Sequence, residues 1–154
     1  MVRLQDLSDA EREHIMGKAL PSFAETPFVH GPPLSERRVA LITTAGLHRV
    51  DDESFSFVDL SHRVIPGDVD LSTLTMTHSS VHFDRTGFQE DVNTVFPLDR
   101  LRELADDGVI GSVADHHYSL MGAGWPPEMI EPTCDDLART LHADEVTAVC
   151  LVPV

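Results

Sequence analysis

The stretch RRVALITTAGLHR, residues 37–49, constrains the fold more than any other part of the chain. Its apolar run, Val39–Ile42, is too short for a helix and has no polar face. A strand buried on both sides, as in a parallel sheet, has this pattern, and the Thr-Thr-Ala-Gly that follows predicts a loop of small residues at its carboxyl end. A second apolar run, VTAVCLVPV, closes the sequence at 146–154. Between the two runs, PLDRLRELADDG at 97–108 predicts a helix. Pro97 fits its first turn, Leu98, Leu101 and Leu104 form its apolar stripe, and Gly108 ends it.

Shorter strands are predicted at Ser61–Ile65, before the Pro66-Gly67 turn, at LSTLTMTH (71–78) and at VIGSVA (109–114). A last helix is predicted over about 131–142. At the amino end, SDAE (8–11) gives a capping-box start for one helix of about ten residues, followed by a proline-rich arm over 21–36. The division is thus an N-terminal helix and arm at 1–36 and one α/β domain at 37–154. The alternation of strand and helix predicts a three-layer, Rossmann-like α/β domain with a mostly parallel sheet.

In such sheets ligands bind beyond the carboxyl ends of the strands. That brings forward two polar stretches, THSSVHFDR at 77–85 and ADHHYSLMG at 114–122. The loop after the first strand (His48), that after LSTLTMT (His78, His82, Asp84) and that after VIGSVA (His116, His117) are expected to open on the same side. Two chemistries fit. His78, His82 and His116 are candidate ligands for a divalent metal, zinc, iron or copper, with an open position for substrate. Alternatively His82 with Asp84, and His117 with Tyr118, move protons near neutral pH. Arg85 suits a bidentate contact with a substrate carboxylate, or an ordinary surface ion pair. His48 and Ser119 join it as substrate-contact candidates. Asn93 either caps a turn or helix or touches a ligand beside the helix N-terminus.

A formal charge of −15, from 26 acidic and 11 basic residues, argues against nucleic acid and anionic membranes as partners. No apolar run approaches the roughly 18 residues of a membrane span, and the polar N-terminus is no secretory signal, so a cytoplasmic location is expected. Cys134 and Cys150 are not closely paired, and Cys150 reads as a buried, inert thiol.

As an ordered set, VALITTAGLHRVDDESF, HRVIPGDVD, THSSVHFDR, DVNTVFPLDRLRELADDGVIGSVADHHYSLMG and AVCLVPV resemble the selenoprotein B family of the glycine/sarcosine/betaine reductases and the related D-proline reductase subunit. The resemblance covers roughly residues 37–154. It implies an α/β fold in which a selenocysteine or cysteine attacks the substrate, a C–N bond is cleaved reductively, and electrons pass through thiol chemistry. In those reductases the reactive residue follows the strand that ends here as LVPV. The resemblance therefore implies a domain shortened at its C-terminus, and Cys150, inside the strand, does not take the nucleophile's place. It implies an enzyme or enzyme subunit acting on a small amino-acid-like or carboxylate substrate. A homo-oligomer, or a partner subunit bearing the thiol, is expected to complete it. The other readings are a non-catalytic subunit and a plain binding module.

Overall fold

The computed structural model describes residues 3–17, 22, 29–57, 59–80, 83–122 and 125–154. The strands are β1 (Arg38–Thr43), β2 (Leu47–Arg49), β3 (Arg63–Pro66), β4 (Leu74–Met76), β5 (Ser112–Val113), β6 (His116–Ser119) and β7 (Ala148–Val152). The helices are α1 (Asp9–Met16), α2 (Thr86–Glu90), α3 (Leu98–Asp106) and α4 (Pro127–Ala143). The chain is a mixed α/β fold around a curled, mostly parallel sheet.

β1 is the central strand. On one side it pairs in parallel with β7 from Val39 to Thr43, and on the other with β5 and then β6. β3 closes the far edge, antiparallel to β6. β2 and β4 form a separate antiparallel ribbon, with His48 opposite Thr75. Alternate residues of β1 face opposite ways, as strand geometry requires. Val39 and Leu41 join the larger core with Ile65, Phe96, Leu98 and Leu101, while Ile42 packs with Tyr118, Leu120 and Leu137 of α4.

The helix ends follow their sequence signals. Ser8 and Glu11 exchange capping-box bonds at α1, the backbone N–H of Glu11 donating to Ser8 Oγ at 3.3 Å and that of Ser8 to Glu11 Oε2 at 3.0 Å. No residue of α1 is buried, and residues 21 and 23–28 of the predicted arm lie outside the described residues. α3 ends in a Schellman motif: Gly108, at φ +69°, donates to Ala105 O, and the N–H of Val109 to Leu104 O at 2.9 Å. That motif consumes Val109 and Gly111 stays in the turn, so VIGSVA yields only the two-residue β5.

Two expectations need correction. α4 begins at Pro127, not near 131, because Pro126-Pro127 supplies the preset backbone favoured at a helix start. ADHHYSLMG is not a loop: His116–Ser119 is β6, paired on both sides. The reason is tertiary. β6 lies between β1 and β3, so its backbone is paired whatever its side chains are.

Candidate functional site

At the carboxyl edge of the sheet, three loops meet. The turn after β1 carries Gly46, at φ +64°, where a Cβ would stand only 2.6 Å from Thr77 O. Backbone bonds tie this turn to both neighbours: Gly46 N–H donates to Leu120 O, and Thr77 N–H to Gly46 O, each at 2.9 Å. The loop after β4 begins at Thr77, and its Ser79 N–H reaches Met121 Sδ at 3.4 Å. The chain beyond β7 arrives at the same edge. Val154 N–H donates to Thr44 Oγ1 at 2.9 Å, and Thr44 N–H to Val152 O at 3.2 Å.

His48 and His78 are both buried here. His48 Nδ1–H donates to Arg49 O at 2.8 Å, and its Nε2 accepts from the Thr77 hydroxyl at 2.9 Å. His78 is 6% exposed. Its Nδ1 accepts from Ser80 N–H at 3.2 Å, and its ring lies 5.2 Å from that of Phe83. Burial, and then the Arg85 guanidinium, hold His78 below the ordinary histidine value. A neutral ring bonded this way carries its proton on Nε2, a buried atom with no hydrogen-bond partner among the described residues. Arg85 itself donates to His78 O at 2.6 Å.

The other predicted residues are distributed differently. His82 lies outside the described residues. Asp84 is exposed and accepts from Thr86 N–H at 2.9 Å, a bond that lowers its carboxyl in the turn just before α2. Asn93 does the capping its alternative reading allowed. Its Oδ1 accepts from Asp99 N–H at 3.1 Å in the first turn of α3, and its Nδ2 donates to Asp91 and Asp99. Ser119 is fully buried, and its Oγ accepts from Leu47 N–H at 2.7 Å.

His116 is not brought to the His78 edge. It starts β6, five residues of extended chain before Met121, which is on the order of 16 Å at ~3.3 Å per residue. There its Nδ1 stands 3.3 Å from Asp144 Oδ2, to which the Tyr118 hydroxyl also donates, at 3.5 Å. Burial, then Asp144, push the Tyr118 hydroxyl up. His117 is completely buried, its Nδ1 accepting from Leu41 N–H at 2.9 Å. Among the described residues no group of three or more His, Cys, Asp or Glu is arranged to hold a metal ion. Sequence reasoning named neither Thr77 nor Thr44 as part of this edge, although the TTAG motif pointed to their neighbourhood.

Neither thiol resembles an activated nucleophile. Cys134 is exposed on α4, its thiol pushed up by burial and by Asp135 and Glu131. Cys150 is half-buried inside β7 rather than fully buried.

The same segments that build this edge also carry the likeness to known proteins. The sequence model of the glycine/sarcosine/betaine reductase selenoprotein B family matches residues 11–154, nearly the whole chain. The chain belongs to this family. D-proline reductase subunit gamma of Acetoanaerobium sticklandii is 36% identical over 120 residues, which cover 77% of this chain and 49% of that protein. Glycine reductase complex component B subunit gamma of Symbiobacterium thermophilum is 32% identical over 140 residues, 86% of this chain and 32% of that one. Sarcosine reductase complex component B subunit beta of Peptoclostridium acidaminophilum is 30% identical over 122 residues, 77% and 28% respectively. The chain thus spans about half the length of the first relative and about a third of the other two. No solved structure matches significantly. As a member of the selenoprotein B family, the chain has relatives named as subunits of reductase complexes. No helix among its described residues is long and apolar enough to cross a membrane.

Proposed function

We propose that this chain forms the substrate-holding half of a reductase subunit. It binds the carboxylate of a small amino-acid-like molecule at the carboxyl edge of the sheet. A thiol- or selenol-bearing segment, from following polypeptide or a partner subunit, comes up beside Val154. The observation that carries this reading is the buried, unpartnered Nε2–H of His78. Leaving such a donor unmade costs roughly 1–3 kcal/mol, and an oxyanion is the acceptor it lacks. Arg85 adds positive charge to the same loop. The relatives' names give D-proline, glycine and sarcosine as what those proteins reduce, all small carboxylates. The donor chemistry does not suit zinc, iron or copper at His78, because coordination needs a lone pair where this ring carries its proton.

The test is a titration of the chain with D-proline, followed by NMR at the His78 ring and the Ser79 and Ser80 amides. Saturable shifts that vanish in His78→Phe are expected. Unmoved signals at saturating ligand overturn the reading.

A partner surface is proposed at β7. Val149 and Leu151 of this outer strand are 38% and 69% exposed, and no charge or proline interrupts residues 147–152. The opposite edge, β3, ends in Pro66 and carries Arg63, which is paired with Asp59. Unprotected edges invite pairing. A second copy or another subunit covering β7 would also complete the three-layer, Rossmann-like arrangement. Leu151→Lys changes an exposed side chain, so it is expected to abolish association while leaving the fold intact. Identical sedimentation of variant and wild type, alone and with reductase subunits, would remove β7 from any interface.

A further inference from the structure

The pairing of β1 with β5 and β6 is not continuous. Arg38 faces Ser112, an offset of 112 − 38 = 74 residues, whereas Ile42 faces Tyr118, an offset of 118 − 42 = 76. Two extra residues therefore stand on the β5–β6 side: Ala40 and Leu41 lie opposite 114–117. Regular pairing is intact up to Ala114 N–H, which donates to Val39 O at 2.9 Å. It resumes where Ile42 faces Tyr118 and runs on to Leu120 N–H, which donates to Thr43 O at 2.9 Å. Between these points Leu41 N–H has no backbone acceptor across the gap. It donates instead to His117 Nδ1 at 2.9 Å. The imidazole fills the place of a missing strand bond, fully buried, with the Phe96 ring edge-on at 5.8 Å.

We infer that His117 is a positioning residue whose imidazole holds this two-residue bulge open and thereby sets Met121 against the loop of His78 and Ser119 against Leu47 of β2. The inference rests on the carboxyl-edge pocket proposed above. With the offset of 74 continued, Thr43 would face residue 117, and everything after it would sit two positions, about 7 Å, further along. Ser119 Oγ would then leave Leu47 N–H, now at 2.7 Å, and Met121 Sδ would leave Ser79 N–H, now at 3.4 Å. An insertion of two rather than one also keeps every side chain on its face. Tyr118 and Leu120 still pack with Leu137 of α4. The bulge re-aims the end of the strand without turning its core inside out, a use bulges commonly serve beside functional sites.

The experiment uses the full chain with no ligand. His117→Asn places Oδ1 near the position of Nδ1 and keeps an acceptor for Leu41 N–H, whereas His117→Leu fills similar space with none. Hydrogen exchange at the Leu41 amide is recorded together with the shifts of the Ser79 amide and the Met121 methyl. For His117→Leu, Leu41 is expected to exchange roughly tenfold faster, the equivalent of one lost hydrogen bond. Ser79 and Met121 should move together, while Leu137 stays put. His117→Asn should resemble wild type in all three. Unchanged Ser79 and Met121 signals beside a deprotected Leu41 overturn the inference, as does an unchanged Leu41. If His117→Leu does not fold, acid titration of the wild type replaces it, and Leu41, Ser79 and Met121 must then follow the His117 ring with one midpoint. Separate midpoints overturn the inference. Because no carboxylate is present, failure here is distinct from failure of D-proline to bind.

Discussion

Between pH 6.5 and about 4 the chain is expected to lose about 3 kcal/mol of folding stability through His117 alone. Burial, assisted by the charges of Arg102, His116 and Arg38, lowers its folded value from 6.5 to about 4. The unfolded chain takes up the proton near 6.5, and the folded chain refuses it until about 4. Stability is therefore full above 6.5, falls by about 1.4 kcal/mol per pH unit across that window, and levels off below it. The folded cost has a structural source. Protonating Nδ1 would set a donor against Leu41 N–H, inside a core that offers no solvent. Urea midpoints measured from pH 7.5 to 4 read this slope directly, after subtraction of the same curve for His117→Asn. Parallel curves would mean that the imidazole titrates freely in the folded chain.

The second large effect is expected at Gly46. Its φ of +64° is left-handed, a conformation that costs a residue with a side chain roughly 1–2 kcal/mol. A methyl group there would meet a backbone carbonyl, Thr77 O, at 2.6 Å, so the neighbouring loop rather than a side chain must yield. Overpacking of this kind adds about 1–3 kcal/mol. Gly46→Ala is thus expected to lose about 3 kcal/mol. It should also push Thr77 off His48 Nε2 and displace His78, which abolishes the response to D-proline even where the chain remains folded. A variant that melts lower yet still binds would separate the turn from the pocket.

Much of the framework was legible in the sequence because it depends on local rules. Val39–Ile42, the Leu98 and Leu101 stripe, the Ser8–Glu11 box and Gly108 all act within a few residues of themselves. β6 was illegible for the opposite reason. His116, His117, Tyr118 and Ser119 look like a polar loop because the partners that satisfy them are distant in sequence: Leu41 for His117, Leu47 for Ser119, Asp144 for His116. Polarity then says nothing about exposure, since two of these polar groups, His117 and Ser119, are fully buried. The same applies to the expected convergence of five histidines. His48 and His78 do share an edge, but the two-residue bulge turns His117 into the sheet and leaves His116 at its amino end. No periodicity in the sequence announces a bulge.

The placement of β1 also governs how the molecule can be made. Its partners lie far downstream: Ser112 and Tyr118 on one side, and on the other Ala148–Val152, reached through the bond from Arg38 N–H to Thr147 Oγ1 across 109 residues. The strand at the centre of the sheet is synthesised well before β7 and stays half-dressed until β7 emerges. Loops that long are slow to close, and nothing local rewards a partial pairing. Closure of the sheet is therefore deferred until β7 has been made, and β7 acts as the keystone that completes the pairing of β1.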